Sequence, residues 1–391
     1  MIEFKSHSLL ISLLLTLPFL NYGVDIGFSL KPYMVACILV FIFYFKDLYH
    51  VRFSMEEYLY VVFMIYYLSS ALWSSYPEMS IKMVVLQLVN FFCFFIIRFS
   101  ILSLINKLSV KSFVELFVKL SFYIYLLAFF VYLLSLLKVL GDLGSYEGQV
   151  LGALLVDKGI PRFVAFSFDP NIASIFIATP LFLSLSVNRN KTALFFVLLI
   201  FITWSRSAII IITLIFSIHF FRSLLYGKIS SVLIIFMCVI LLYFFIDILN
   251  VDEMIQKRVD GLGRASGRFE AWSNGLAIFN DNIIFGIGIY SFYLWNIRFF
   301  GDAHHLHNTY LDVLVEGGII GLILFSLPIG LLLLRLVFAK SSYFLVNISY
   351  LWMFNIAMIG TLTAISHEGF IFNFFLSSLL LIAIRKEKTS T

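Results

Sequence analysis

The chain has few charged residues. Asp, Glu, Lys and Arg make up 13% of its 391 residues, whereas apolar residues make up 62%. A soluble domain carries roughly 25% charged and 45–50% apolar residues, so this composition excludes an ordinary soluble protein. It indicates an integral membrane protein with most of its length in lipid. The distribution of basic residues among the loops is therefore more informative than the net charge of +5.

Cysteine is also scarce. Cys37, Cys93 and Cys238 each lie inside an apolar run, which excludes a disulfide framework or a cysteine-based metal site. We expect them to be small buried hydrophobic side chains. The first apolar stretch, Leu9–Leu20, lacks a small-residue cleavage site, so we expect a retained helix rather than a removed signal peptide.

Long apolar runs such as Ile229–Leu249 are present, and they lack the strict alternation of barrel strands. With about 20 apolar residues per crossing, we predict an all-α polytopic membrane protein with about twelve transmembrane helices. Residues 1–391 would form a single membrane domain. The predicted segments are 8–22, 32–45, 57–73, 81–99, 113–138, 169–187, 191–204, 207–221, 229–249, 307–334, 343–363 and 367–384.

Basic residues alternate between the loops, and this pattern predicts the orientation. The basic loops contain Lys5; Lys46 and Arg52; Arg98, Lys107 and Lys111; Arg189 and Lys191; Arg222 and Lys228; Arg335 and Lys340; and Arg385, Lys386 and Lys388. By the positive-inside rule these loops and both termini face the cytoplasm. The opposite side carries two larger loops of mixed charge, residues 139–168 and 250–306, where we expect the function to lie.

The stretch "WSRS", Trp204–Ser207, interrupts an apolar segment flanked by two basic loops. Because both flanking loops favour the cytoplasm, a short outer turn fits better than one continuous helix. Each flanking helix would be only about 20 Å long at 1.5 Å per residue, which places Arg206 below the outer surface. An arginine there is a candidate functional residue; alternatively, its side chain reaches the headgroups.

Three histidines cluster in "DAHHLHNTYLDVLVEGGIIGL", residues 302–322. His307 is predicted to start a membrane helix, where a neutral imidazole can accept a proton from a nucleophile. The alternative is a boundary histidine that bonds only to its loop. A zinc site formed by His304, His305 and His307 is disfavoured, because adjacent side chains diverge and no second ligand cluster follows.

The glycines of the same stretch have a structural interpretation. On a continuous helix Gly318 would lie within about 20° of His307, but too deep to touch a ligand there. Gly317 and Gly321 form a GxxxG pair. We therefore expect these glycines to allow close packing of a neighbouring helix.

Arginines from three segments are predicted to meet at the outer face: Arg162, Arg206 and Arg268. Guanidinium groups bind phosphate oxygens bidentately and stay charged, so their convergence indicates a pyrophosphate ligand. Each arginine alone could instead form a salt bridge, with Asp157, Asp169 or Glu270. The stretch Asp169-Pro170-Asn171 is typical of a turn with an N-cap that opens a helix.

These motifs resemble those of the O-antigen polymerase and O-antigen ligase superfamily, which are polytopic glycosyltransferases. The ligase-type pattern of His, then Asn, Ser or Gln, nine residues and GxxG is met by His307, Asn308, Gly318 and Gly321. The run "SGR…W…FGIG" from Ser266 to Gly288, the "WSRS" turn and "RFVAFSFDPN" are also similar to family segments. The resemblance spans about Arg162 to Leu324. An Arg-x10-Gly pattern, present in both outer loops of some polymerases, is met from Arg264 to Gly275 but not from Arg162, which leads to Ala173.

The resemblance implies glycosyl transfer at the periplasmic face of a bacterial inner membrane, without nucleotide sugar, metal or other cofactor. The donor would be a glycan on undecaprenyl diphosphate. Arg206 and Arg268 would stabilise the leaving group, and His307 would be the general base or would orient the acceptor hydroxyl. The implied substrate-binding residues are Arg162, Arg264, Asp169, Asn171, His304 and Asn308.

The acceptor decides between the two activities of the superfamily. Polymerases use another lipid-linked repeat unit, and ligases use lipid A–core; the Asp169-Pro170-Asn171 segment favours a polymerase, with a ligase as the alternative. Membrane lipids and a polysaccharide chain-length regulator are further implied partners, and nucleic acid is not. A flippase of lipid-linked sugars would need midplane ionisable groups and repeat symmetry, neither of which the sequence has.

Overall fold

The computed structural model describes residues 2–25, 29–50, 53–141, 146–225, 268–339, 343–362 and 368–390. These residues are mostly helical. The helices are α1 (Ile2–Thr16), α2 (Pro32–Tyr44), α3 (Met55–Ser69), α4 (Pro77–Leu108), α5 (Val110–Val139), α6 (Pro170–Ser186), α7 (Asn190–Ile202), α8 (Arg206–Leu225), α9 (Arg268–Asp281), α10 (Phe292–Phe300), α11 (Thr309–Val337), α12 (Tyr343–Ile359) and α13 (Glu368–Ser390). The strands are β1 (Val24–Asp25), β2 (Ser29–Leu30), β3 (Gly148–Val150), β4 (Leu154–Asp157) and β5 (Ile160–Phe163).

Each predicted apolar segment coincides with a helix, except 229–249, which lies outside the described residues. Boundaries differ: α4 extends beyond the predicted 81–99 at both ends. Within the described residues, four helices are long and apolar enough to cross a membrane, namely α4, α5, α11 and residues Glu368–Glu387 of α13. The helices α6, α7 and α12 are apolar but shorter. The helical membrane architecture is thus supported, whereas about twelve crossings remain a prediction.

The loop predicted at residues 139–168 contains regular secondary structure. It contains a three-stranded antiparallel sheet in the order β3-β4-β5. Lys158 and Gly159 join β4 to β5 and both have positive φ, as a tight hairpin turn requires. The all-α description therefore needs this small sheet added to it. The sheet matters for the site because β5 carries Arg162.

Helix α6 is the most deeply enclosed helix near the site. Almost its whole surface is buried, and it packs against α5, α7, α12 and α13. An apolar surface on all sides suits a helix that other helices enclose in this way. Cys37 and Cys93 are also buried, as predicted, and the Cys37 thiol lies 3.5 Å from the Cys93 carbonyl oxygen. Cys238 lies outside the described residues.

The predicted GxxxG contact is confirmed between α11 and α3. A Cβ added at Gly321 would lie 3.3 Å from the Tyr66 ring, and one at Gly317 would lie 3.7 Å from it. The Tyr66 hydroxyl donates to the Gly317 carbonyl at 2.7 Å. These small residues let the two helices approach closely enough for that hydrogen bond.

Gly318 has a different role from the predicted one. It interrupts α11 with φ 65° and ψ −168°, so the continuous helical face assumed between His307 and Gly318 does not exist. A Cβ there would lie 2.2 Å from the Ile284 carbonyl oxygen. At this break residues 283–288 run beside α11: Ile287 N donates to Val315 O at 3.1 Å, and Ile319 N donates to Ile283 O at 2.9 Å. The partner of Gly318 is therefore a loop backbone rather than a helix.

The end of the bundle opposite to the candidate site contains buried ion pairs. Arg98 donates from Nε and Nη2 to both carboxylate oxygens of Glu57, at 2.8 and 2.7 Å, and both side chains are almost fully buried. Arg335 pairs with Glu56, whose Oε1 also accepts from the Ser378 hydroxyl at 2.9 Å. Arg98 and Arg335 belong to two loops predicted to share one side of the membrane. Their proximity supports that part of the predicted orientation.

Candidate functional site

The starts of helices α6 and α8 meet at the candidate site. Asp169 caps α6, as predicted, by accepting from Asn171 N at 2.7 Å and Ile172 N at 3.2 Å. The Ser205 hydroxyl accepts from Ala208 N at 3.3 Å in the first turn of α8. It also lies 2.5 Å from the Asn171 side-chain oxygen, to which it donates. This hydrogen bond fixes the two helix starts relative to each other.

The predicted turn at Trp204–Ser207 is confirmed. Helix α7 ends at Ile202, Trp204 has φ 52°, and α8 begins at Arg206. The Arg206 side chain is exposed. A cation in the first turn of a helix is repelled by the helix dipole, so helix stability does not explain an arginine at this position. A negatively charged ligand would compensate that repulsion.

Arg162 is held mainly by protein groups. Its Nη1 lies 3.2 Å from Asp157 Oδ2, and its Nε donates to the Thr203 carbonyl at 3.3 Å. The salt bridge with Asp157, considered above as an alternative, is therefore present. Arg162 nevertheless lies next to the turn that carries Arg206. Through the hydrogen bond to Thr203, Arg162 joins the small sheet to that turn.

Arg268 is half-buried near Arg206 and Asp169. It is the first described residue of α9. Burial lowers the pKa of Arg268, and the positive charge of Arg206 lowers it further, while the Asp169 carboxylate opposes both effects. Two guanidinium groups thus lie within electrostatic range of each other and of one carboxylate. Arg264 lies outside the described residues.

His307 was predicted to start a membrane helix, but it lies just before α11. Asn308 is the N-cap: its side-chain oxygen accepts from Tyr310 N at 3.1 Å and Leu311 N at 3.4 Å. His307 has φ 48°, a conformation uncommon for a non-glycine residue. The helix therefore starts at Thr309, because the short polar side chain of Asn308 caps it. Asn308 is engaged with its own helix, and His307 is presented by the preceding loop.

The surroundings of His307 favour its neutral form. Burial lowers the pKa of His307, and the positive charge of Arg268 lowers it further. The neighbouring His305 acts in the same direction, and the Asp169 carboxylate opposes these effects. The imidazole is therefore neutral at neutral pH and has a basic nitrogen. A neutral imidazole beside cationic side chains can accept a proton from a hydroxyl that lies there.

The three histidines have different partners. The His304 ring pairs through Nδ1 with Asp302 Oδ1, and its side chain is 56% exposed. The His305 ring stacks on Tyr293, with centroids 4.5 Å apart and planes 15° apart. The His307 ring lies 6.3 Å from the His305 ring at 73°. Each ring thus has its own environment, as expected from the divergence of adjacent side chains.

Sequence reasoning missed the groups that hold this loop in place. The Trp272 indole N–H donates to the Leu306 carbonyl at 2.7 Å, directly before His307. A Cβ at Gly275 would lie 2.9 Å from the Leu306 side chain. Helix α9 therefore carries Arg268 and also contacts the histidine loop. The spacing of Arg268 and Trp272, one helical turn apart, could have indicated that both lie on the same face of α9.

Two buried carboxylates beneath the histidine loop were also missed. Asp312 and Glu316 follow Asn308 at successive intervals of four residues in α11, and both are buried. Glu316 accepts from Phe292 N at 3.2 Å and pairs with the Tyr67 hydroxyl. It thus connects α3, α10 and α11. The i, i+4 spacing of acidic residues in an apolar helix could have identified them.

The comparison with protein families agrees with the motifs. Residues 192–326 match the sequence model of the O-antigen ligase family. This region contains the "WSRS" turn, helix α9, the histidine loop and the first half of α11. The match confirms the resemblance to the O-antigen ligase and polymerase superfamily. No curated protein matches the chain.

Proposed function

On the basis of this family match, we propose that the chain is a membrane glycosyltransferase that acts on glycans linked to undecaprenyl diphosphate. Its specific activity would be that of an O-antigen polymerase, which joins lipid-linked repeat units at the periplasmic face of the inner membrane. The main supporting observation is the grouping of Arg206, Arg268 and His307 beside the capped starts of α6, α8 and α11. Helix starts and guanidinium groups favour a diphosphate there.

The proposed reaction uses these groups in sequence. The hydroxyl of the acceptor sugar attacks the anomeric carbon of the donor glycan, and the bond from that carbon to the phosphate oxygen breaks. His307 accepts the hydroxyl proton, and undecaprenyl diphosphate leaves with the bonding electrons. Arg206 and Arg268 stabilise the negative charge that develops on the diphosphate. Asp169 and Asn171 hold the two helix starts that frame this space.

For Arg162 we propose a supporting role rather than direct binding of the substrate. Because Arg162 already binds Asp157 and the Thr203 carbonyl, we propose that it supports the Arg206 turn. Arg264 remains a proposed ligand on its motif alone. Asn308 is proposed to fix the position of His307 through its capping bonds.

An O-antigen ligase is the second candidate, because the matched family model carries that description. The two activities share the donor and differ in the acceptor. Deletion in the native host, followed by display of the glycan on a gel, separates them. A polymerase deletion leaves lipopolysaccharide with a single repeat unit, whereas a ligase deletion leaves bare core while lipid-linked polymer accumulates. Unchanged glycan would contradict both.

The periplasmic location is tested separately with reporter fusions that are active only in the cytoplasm. Fusions at Ser205 and Asp260 should be silent, because the alternation of basic loops places both on the outer side. A fusion in the loop that contains Lys107 should be active and serves as the control. A cytoplasmic signal at Ser205 or Asp260 would contradict the proposed location of the site.

A further inference from the structure

We propose that the histidine loop, residues 302–308, carries a binding subsite for the acceptor saccharide. The subsite consists of His304, which Asp302 holds in place, and the neighbouring stack of His305 on Tyr293. This inference rests on the proposed function, because it names the second substrate of the same site. It assigns sugar recognition to residues that the transfer step itself does not use.

The His304 ring is oriented by its neighbour and is open to solvent. Asp302 Oδ1 pairs with Nδ1 of the ring and accepts from the His304 backbone N–H at 3.2 Å. A hydrogen bond at one ring nitrogen fixes the ring and determines the state of the other nitrogen. The other ring nitrogen, Nε2, is thus available for a ligand, since more than half of the side chain is exposed.

A fully buried amide supports this pair from below. The Asn296 side chain donates to Asp302 Oδ2 at 3.1 Å and to the His304 carbonyl at 3.0 Å. Its own oxygen accepts from Asn274 Nδ2 at 2.9 Å. Helices α9 and α10 therefore fix both the carboxylate and the backbone of the loop. Such second-layer hydrogen bonding is what a preorganised binding group requires.

The stack of His305 on Tyr293 connects His304 to the reaction centre. Burial lowers the pKa of His305, so its ring is neutral and has flat apolar faces. Its centroid lies 6.3 Å from that of His307. A saccharide lying along the loop would place a hydroxyl at His307 while its further rings contact His305 and His304.

The chemistry of these groups fits a neutral sugar better than a phosphate. A carboxylate at the subsite repels anions, whereas imidazole nitrogens and flat rings suit hydroxyl groups and the apolar faces of sugars. Arg206 and Arg268 place two cations beside the single carboxylate of Asp169, and this excess of positive charge suits the diphosphate instead. The loop and the arginine pair would thus bind different parts of the reacting molecules.

The kinetic test varies the concentration of lipid-linked repeat unit extracted from the native host. A lost contact that binds substrate and transition state equally raises KM and leaves kcat unchanged. We expect His304→Ala and Asp302→Asn to raise KM about tenfold, the effect of one lost hydrogen bond. Asp281→Asn, at the exposed end of α9, is the matched control and should leave KM unchanged.

Two kinetic results would overturn the subsite. One is a KM for His304→Ala within about twofold of that of the wild type, a difference smaller than a single hydrogen bond would produce. The other is a fall in kcat as large as that of His307→Ala with KM unchanged, since His304 would then take part in the chemistry. Protein levels in the membrane show whether a variant has folded.

A binding measurement separates this inference from the proposed function. The probe is the repeat-unit oligosaccharide released from its lipid carrier by mild acid, and its binding to purified protein is followed by saturation-transfer NMR. The wild type and Arg206→Lys should bind it equally, whereas His304→Ala should lose most binding. Equal binding by His304→Ala would overturn the subsite. The two experiments can also disagree. If binding depends on His304 but deletion of the protein leaves the host glycan unchanged, the proposed function alone would be overturned.

Discussion

The two ends of the helix bundle use arginine in opposite ways. At one end Arg98 is buried and makes two hydrogen bonds to Glu57. At the other end Arg206 is exposed at a helix start, and it lies close enough to Arg268 to lower the pKa of Arg268. The first arrangement satisfies its charges within the protein. Among the described residues, the second arrangement places two cations beside one carboxylate, that of Asp169. We infer from this excess of positive charge that the first end stabilises the fold and the second binds an anion.

The largest expected effect is on His307, the histidine near Arg268. His307→Ala should lower kcat by about 10²–10⁴-fold, because removing a general base typically costs that much. The amount of protein in the membrane should stay normal. His304→Ala and His305→Ala should affect KM rather than kcat. Equal loss of kcat in all three variants, with inhibition by EDTA that zinc reverses, would instead indicate a metal site.

The next effect concerns Arg206 and Arg268 of the candidate site. Arg206→Lys and Arg268→Lys keep the charge but lose the planar fork, so each should reduce the transfer rate by about 10- to 100-fold, the cost of a lost charge-assisted hydrogen bond. Arg298→Lys is the control, since the Arg298 guanidinium lies over the Phe299 ring in α10. Rates are measured with extracted lipid-linked substrate. Near-normal rates in the lysine variants would show that a point charge is sufficient.

The end of the bundle that contains Arg98 and Glu57 should respond in stability rather than in rate. Arg98→Met leaves the Glu57 carboxylate buried without its partner, which typically costs about 3–5 kcal/mol. The thermal unfolding of purified protein should therefore shift to lower temperature. The double variant Arg98→Met/Glu57→Gln should lose less than the sum of the single variants, because the two residues form one pair.

Replacement of an arginine by methionine at the candidate site should affect stability differently. Arg206→Met should leave the unfolding temperature unchanged or slightly higher, because it removes a cation from a helix start. A loss of stability at Arg206 as large as that at Arg98 would contradict the distinction between the two ends.

The smallest expected effect is on the pH dependence. Because the pKa of His307 is lowered, the acid limb of kcat/KM should lie below the ordinary histidine pKa of about 6.5. The positive charge of Arg268 contributes to that lowering. Arg268→Gln should therefore raise the pKa of His307, and the acid limb of its residual activity should move to higher pH. An unmoved limb would mean that another group titrates.

Some features of the site could be predicted because they depend on local chain chemistry. The Asp169 cap and the "WSRS" turn arise from neighbouring residues, and both are present. The GxxxG pair predicted a close contact but could not identify α3 as the partner. The break at Gly318 could not be predicted, because it depends on the distant backbone at Ile284.

Other features depend on folding and have no local signature. The buried Asn296 reads as an ordinary residue of a short amphipathic stretch, yet it holds both Asp302 and the His304 carbonyl. For Arg162, in contrast, the sequence indicated a binding role where the structure shows a structural contact. Its motif suggested a ligand contact, and strand pairing instead placed it within reach of Asp157. The folded geometry of the histidine loop and of the β4–β5 hairpin thus decided which polar residues are structural.

Arg206 and Arg268 together are proposed to bind a diphosphate. The most direct measurement is the affinity of purified protein in nanodiscs for undecaprenyl diphosphate, with undecaprenyl monophosphate as the comparison lipid. We predict that the wild type prefers the diphosphate, and that the double variant Arg206→Lys/Arg268→Lys binds it at least about tenfold more weakly, while Arg298→Lys binds it normally. Unchanged affinity in the double variant, or an equal loss in Arg298→Lys, would contradict the claim.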